Sequence, residues 1–433
     1  MKKVAFYTLG CKVNQYETEA MEENFEKKSY KIVNDDEVAD IYVINTCTVT
    51  NLSDRKSRQF IRRAKKTNED SIIAVVGCYS QVSPDEVFEI EGVDVVIGTT
   101  DRERIVELCE QAKEKSEKIN IVKDIKTQKE FETINIDDIK SKTRAYIKIQ
   151  DGCNQYCSYC IIPYARGPIR SRDLEDIISE TEKLVNVGFK EVVLTGIHVA
   201  SYGKEKSKIN LTTVLEEVSN IKGIERVRLS SIEPTLINDE FMERILATGK
   251  VCDHFHLSLQ SGSDTVLKRM NRKYTTGQYK DIVNLIKRYM PNAGITTDII
   301  VGFPGETDVE FEETYNFVKE IGFSRIHVFK YSPRKGTPAA DSKEQIDGNI
   351  KNIKSEKLIK LGDELMAKFY SKFIDSNLHV LFEEETHKEN EFIEGYTTNY
   401  IRVKAKNKPS IIGNIANVKI NSIDGDILIG EII

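Results

Sequence analysis

The sequence predicts an α/β chain in three parts: a doubly wound parallel sheet domain over residues 1–130, an open (β/α)6 barrel over 139–370, and a small all-β barrel over 371–433. Three observations carry this reading. Apolar strand-like runs alternate with helix-period segments from the first residues to about 370, and βα alternation of that length implies parallel sheet. A charged stretch poor in apolar residues, 111–142, breaks the alternation once and reads as a passage between two such units. After a long helical pattern at 350–371, the style changes to short strands punctuated by Gly395, Gly413 and Gly425.

Composition narrows the classes. At 433 residues the chain is too long for one core, and its 39% hydrophobic and 30% charged residues read as soluble and globular. No apolar run approaches the ~20 residues of a membrane span, so no membrane association is expected. Met1 to Gly10 lacks a long apolar region and a small-residue cleavage site, and reads as a first strand rather than a signal peptide. Eight cysteines without a secretory signal argue for a reducing compartment and for metal or redox chemistry. A cytoplasmic location follows as the expectation. A formal charge of -6 does not advertise nucleic-acid binding, so that reading must rest on local patches.

In the first part, strands are expected at Val4–Leu9, Ile41–Asn45, Ile72–Val76 and Val93–Ile97, with helices at 17–28, 54–66, 84–90 and 102–115. Cys11, Cys47 and Cys78 each sit just past the carboxyl end of a different strand. In a parallel sheet those ends share one edge, where open α/β sheets bind ligands. Three thiolates from three loops then converge, against the alternative that small loop cysteines merely pack. Cys109 lies on the apolar stripe Ile105, Leu108, Cys109, Ala112, and Cys252 precedes a strand; both read as core.

The central part carries strand patterns at Ala145–Ile149, Glu191–Thr195, Arg226–Ser230, His254–Leu259, Ile295–Val301 and Arg325–Lys330. Six strands are too few to close like an eight-stranded barrel, and chemistry in such barrels sits at the carboxyl ends of strands. After the first strand comes Cys153-Asn154-Gln155-Tyr156-Cys157-Ser158-Tyr159-Cys160, a C-x3-C-x2-C stretch. Three soft sulfur ligands suit a four-iron cluster with one iron left open. A three-cysteine zinc site with a distant fourth ligand, or a disulfide knot, is the alternative. Arg166, Arg170 and Arg172 beyond this loop either meet a phosphate or carboxylate or form a solvated basic face. His254 and His256 have no ligand partner in sequence and read as structural.

The last part holds expected strands at Leu378–Glu383, Asn399–Val403, Ile411–Ile420 and Ile427–Ile433, plausible for a five-stranded barrel. It is net acidic, with seven basic against ten acidic residues. Arg402, Lys404, Lys406 and Lys408 are nevertheless spaced by two and can line one strand edge as an RNA contact, with Tyr396 and Tyr400 nearby for base stacking.

The C-x3-C-x2-C stretch, flanked by Gly152, Tyr159, Ile162 and Pro163, resembles that of the radical S-adenosylmethionine (SAM) enzymes. The end domain resembles the TRAM domain, an RNA-binding barrel. The three parts in order resemble the methylthiotransferase family over essentially the whole chain. The opening Thr8-Leu9-Gly10-Cys11-Lys12-Val13-Asn14-Gln15-Tyr16-Glu17 looks most like its branch acting on N6-threonylcarbamoyladenosine beside the tRNA anticodon.

That resemblance implies two [4Fe–4S] clusters, one on Cys153, Cys157 and Cys160 that splits SAM to a radical, and one on Cys11, Cys47 and Cys78 that carries the sulfur. It implies SAM contacts at Gly196, Ser258, Gln260 and Gly302. It implies insertion of a methylthio group at carbon 2 of the adenine, with SAM as methyl donor and radical source. The implied partners are the tRNA anticodon loop and an electron donor such as flavodoxin or ferredoxin. Alternatives are methylthiolation of isopentenyladenosine or of a ribosomal-protein aspartate, and a non-catalytic RNA-binding metal protein.

Overall fold

The computed structural model describes residues 1–134, 143–206, 209–386, 391–408 and 411–433; the expected barrel start at residue 139 lies outside them. The first sheet is six-stranded and parallel, in the order β2-β1-β3-β4-β5-β6. Its strands are β1 (Lys3–Thr8), β2 (Lys31–Val33), β3 (Ile41–Thr46), β4 (Ile72–Gly77), β5 (Val95–Val96) and β6 (Ile119–Asn120). Every residue of β3 and β4 is buried, as central strands covered on both faces require. Helices α1 (Lys12–Lys27), α2 (Asn51–Thr67), α3 (Cys78–Val82), α4 (Pro84–Phe88) and α5 (Ile105–Lys115) provide the cover. Met21 and Phe25 of α1 join Leu108 and Cys109 of α5 in one apolar cluster. Phe60 and Ile61 of α2 join Val87 of α4 in a second cluster built on the alternate strand residues, so the sheet is wound on both faces. The sequence reading lacked β2 and β6, which are too short to show a period.

Six parallel strands follow: β7 (Arg144–Asp151), β9 (Glu191–Gly196), β10 (Arg226–Leu229), β11 (His254–His256), β12 (Gly294–Val301) and β13 (Arg325–Lys330), with a two-residue β8 (Arg170–Ser171) pairing antiparallel to β7. They run in the order β8-β7-β9-β10 and β11-β12-β13, and the bridges Val227–Val251 and Ile232–Leu257 connect the two arcs. The barrel is open. Helices α6 (Ile162–Arg166), α7 (Leu174–Asn186), α8 (Leu211–Asn220), α9 (Asp239–Ala247), α10 (Asp264–Arg269), α11 (Thr276–Tyr289), α12 (Asp308–Ile321) and α13 (Gly348–Tyr370) fill the connections. Capping boxes at Thr275/Gln278 and Thr307/Glu310 fix where α11 and α12 start. Along β7, Ala145, Ile147 and Ile149 pack into the apolar cluster. The alternate residues, among them Tyr146, turn to the lumen.

The last five strands are β14 (Asn377–Thr386), β15 (Phe392–Thr397), β16 (Arg402–Lys406), β17 (Ile415–Asp424) and β18 (Ile427–Ile432), closed as β14-β15-β16-β18-β17. Sequence reasoning missed β15 because Gly395 interrupts it; a Cβ there would collide with the Leu381 carbonyl oxygen. This small barrel docks where the strands of the larger one begin. Arg226 and Arg228, in β10, donate to the carbonyls of Tyr396, His379, Thr397 and Thr398, and Arg144, first in β7, pairs with Glu383.

Candidate active site

In the first sheet the strand order reverses beside β1, whose neighbours are β2 and β3. Cys11 follows β1, Cys47 follows β3, and Cys78 follows β4, so the triplet gathers at the switch point where such sheets bind ligands. Gly10 makes the approach possible: its φ is +119°, and a Cβ there would meet Cys47 Cβ at 2.9 Å. Burial pushes the Cys78 thiol up to about 12 and raises Cys47, and neighbouring Cys11 adds to both.

Cys153, Cys157 and Cys160 occupy the loop after β7. Burial raises Cys153 to about 11 and Cys160 to about 12, with Cys157 adding to each. Cys11, Cys153, Cys157 and Cys160 line one cavity of about 980 Å³, so the sheet and the barrel open onto a common space. Among the described residues no three His, Cys, Asp or Glu side chains stand close enough to hold a single metal ion. Cys109 and Cys252 are buried elsewhere, as expected of core residues.

One arginine reaches each triplet. Arg272 donates to Cys157 Sγ at 3.3 Å and is held by Tyr274 Oη at 3.0 Å, with Glu233 at 3.6 Å. Glu233 also accepts from Gln155 and faces His198 Nε2 at 3.0 Å. Arg166 donates to Cys78 Sγ at 3.2 Å. It belongs to a buried ionic cluster joining sheet to barrel: Glu17 meets Arg102 at 2.6 Å, Lys148 at 2.8 Å and Arg166 at 2.5 Å, while Asp151 meets Lys148 at 2.6 Å. Of the two readings of Arg166, Arg170 and Arg172, the structure bears out the meeting with a carboxylate and not the solvated face: all three are buried, Arg166 and Arg170 beside Asp151 and Arg172 beside Glu180. Arg334, after β13, closes the junction by holding Asp54 and Thr48 beside the Cys47 loop.

Of the expected SAM contacts, Gly196, Ser258 and Gln260 line the shared cavity. Gln260 does so with φ at +73°, a conformation costly for a residue with a Cβ. Gly302 is absent from the lining; the Lys351 side chain fills the space where its Cβ would be, and its N–H donates to Glu306. The expected basic edge is corrected as well. β16 pairs with β15 on one side and β18 on the other, so it offers no free edge, and its basic side chains lie on the outer barrel face. Arg402 is tied to Glu394, Lys404 lies over the Phe392 ring, Lys406 is exposed, and Lys408 donates to the Ile432 carbonyl. Tyr396 and Tyr400 stack on each other, with Arg144 over both rings, so they are engaged inside the protein.

Sequence reasoning did not single out Tyr146, Glu233, Asp298 or Arg272, all cavity-lining, and used Lys12 only as part of the stretch that follows Cys11. The inward period of β7 marks Tyr146. No local signal marks Arg272, whose Cys157 lies 115 positions away.

Residues 147–318 match the Radical SAM superfamily, and residues 3–98 match the uncharacterized protein family UPF0004. The chain is 48% identical to the threonylcarbamoyladenosine tRNA methylthiotransferase MtaB of Bacillus subtilis (strain 168), covering 97% of this chain and 94% of the relative. It is 42% identical to the protein of the same name from Aquifex aeolicus, over 93% and 96% of the two chains. A tRNA-2-methylthio-N(6)-dimethylallyladenosine synthase of Clostridium tetani is 37% identical over 95% of this chain and 92% of that one. In fold, the radical SAM methyltransferase TsrM of Kitasatospora setae superposes with a TM-score of 0.57 at 14% identity, over 78% of this chain and 77% of the other. A barrel of this kind bearing a cysteine triplet is that of a radical SAM enzyme. The chain belongs to the radical SAM tRNA methylthiotransferase family, which implies a [4Fe–4S] cluster and SAM.

Proposed function

We propose that this chain inserts a methylthio group at carbon 2 of N6-threonylcarbamoyladenosine beside the anticodon of tRNA. The observation that carries the reading is the shared cavity: a sulfur of the sheet triplet, Cys11, and all three barrel sulfurs open onto one space. The name borne by the relatives at 48% and 42% identity supports the same nucleoside, against 37% for a dimethylallyladenosine relative.

Cys153, Cys157 and Cys160 fit a cluster, being three thiols of one loop with the Arg272 donor against Cys157. Cys11, Cys47 and Cys78 fit a second, with Arg166 against Cys78. Bound there, the clusters and SAM supply a radical able to take the unactivated hydrogen from adenine carbon 2, and the sulfur and methyl group that replace it. The chain's own residues do the positioning. Gly196, Ser258 and Gln260 give SAM a close backbone approach and polar partners, and Glu233 fixes Arg272 and His198 at the cavity wall. Arg402, Lys404, Lys406 and Lys408 present cations to the RNA backbone from the outer face of the small barrel, while the splayed bases of an anticodon loop suit entry into a cavity. A flavodoxin- or ferredoxin-type donor supplies electrons in the cytoplasm. Among the described residues no helix is long and apolar enough to cross a membrane.

Removing the sheet triplet tests the division of labour. The anaerobically reconstituted chain should hold about eight irons, and the variant with Cys11, Cys47 and Cys78 all changed to Ala about four. That variant should still cleave SAM reductively but form no methylthiolated product. Normal product yield from it would show that the sheet triplet does not deliver the sulfur.

A further inference from the structure

Lys12 opens α1 directly after Cys11 and lines the shared cavity together with Gln15, Glu19 and Glu22 of the same helix face. Its Nζ lies 5.9 Å from the ring centre of Tyr146 and 5.9 Å from that of Tyr400. The other cations of this region are engaged: Arg144 by Glu383, and Arg226 and Arg228 by Glu191 and backbone carbonyls. Lys12 differs. Among the described residues it makes no ion pair or hydrogen bond; the two rings flank it, and Arg144, Arg228 and Glu191 lie within its electrostatic reach. An ammonium partly withdrawn from water and paired directly with no carboxylate gains when an anion binds beside it.

On the reading that the substrate is N6-threonylcarbamoyladenosine, that anion has a source. A threonine joined to the base through its own amine leaves its α-carboxylate and hydroxyl free, whereas a dimethylallyl group offers neither. We infer that Lys12 binds the α-carboxylate of the threonylcarbamoyl group and so selects this nucleoside, with Tyr146 and Tyr400 holding the ammonium in place. A second carboxylate, that of SAM, also enters the cavity, and the experiment separates the two.

Anticodon stem-loop RNAs carrying N6-threonylcarbamoyladenosine, its methyl ester, or dimethylallyladenosine are offered to the reconstituted enzyme. A charge-assisted contact made out of water predicts that the wild type favours the acid over the ester by about tenfold to a hundredfold in kcat/KM. The change should fall mainly on KM. Lys12→Gln should bring the acid down to the level of the ester, and Lys12→Arg should restore most of the preference. Equal use of acid and ester by the wild type would overturn the inference without any variant, so it does not depend on Lys12→Gln loading its clusters. A raised KM for SAM in Lys12→Gln with the acid–ester preference intact would assign Lys12 to SAM and also overturn it. If the wild type modifies the dimethylallyl RNA and neither of the others, the nucleoside assignment itself falls, and this inference with it.

Discussion

At the scale of single residues, Glu17 sets the most exacting condition in the molecule. It is fully buried and faces Arg102, Lys148 and Arg166 at once. Burial alone would raise its carboxyl, but Arg102, Arg166 and Lys148 outweigh it and hold the group at about 2. Its folded pKa thus lies below the unfolded value of ~4.3. The stability it contributes is complete above that value and is lost as pH falls from there toward 2. Glu17→Gln leaves three buried cations short of a counter-charge, so a loss on the order of 3–5 kcal/mol is expected at pH 7. Thermal unfolding of wild type and variant across pH should show the gap narrowing only below about pH 4.5. A gap that stays constant down to pH 2 would mean that Glu17 is not the ionised centre of the cluster.

The cysteines were legible one by one, because three strand ends and a tight C-x3-C-x2-C loop are local features. Their arginines were not. Arg166 is visible in sequence only as a cation after the loop, and its partner Glu17 lies 149 positions away. Spacing cannot say whether such a charge faces water or another part of the fold. Gly302 shows what spacing leaves open in the other direction. A glycine at a barrel strand end is a fair candidate for cofactor approach, yet the side chains of Lys351 and Glu306 take the space around it.

At the scale of elements, the alternating runs of the sheet and barrel were readable because long, fully buried strands leave unbroken apolar patterns. Short edge strands such as β2 do not, and β15 was hidden by its own glycine. Strand order was not readable at all in the small barrel. The pairing of β16 with β18 across the intervening β17 closes the edge that the basic residues were expected to line. The proposed RNA contact therefore falls on an outer face, with Arg402 and Lys408 already engaged within the protein. Changing Arg402, Lys404, Lys406 and Lys408 together to Gln should weaken tRNA binding. It should also make the dependence on salt shallower, by ~0.7 in log–log slope for each single-strand phosphate that the variant no longer neutralises. Titrations across a salt series measure this. Identical slopes would exclude this face and direct attention to α2, where Arg55, Lys56, Arg62 and Lys66 are exposed beyond the Cys47 loop.

At the scale of the whole molecule, the arrangement explains why three parts are joined in one chain. The sheet triplet and the barrel triplet are useful to each other only if they open onto the same space, and the Glu17 cluster with the Arg334 contacts holds them so. The small barrel is fixed to the opposite end of the strands by Arg144, Arg226 and Arg228, and its Tyr400 reaches Lys12 of the cavity wall. The central claim is that this cavity modifies N6-threonylcarbamoyladenosine in tRNA. Mass spectrometry of tRNA nucleosides from cells lacking the protein tests it most directly. The 2-methylthio derivative of N6-threonylcarbamoyladenosine should vanish, its unmethylthiolated precursor should accumulate, and the methylthiolated dimethylallyl nucleoside should be unchanged. Retention of the first with loss of the last would contradict the account.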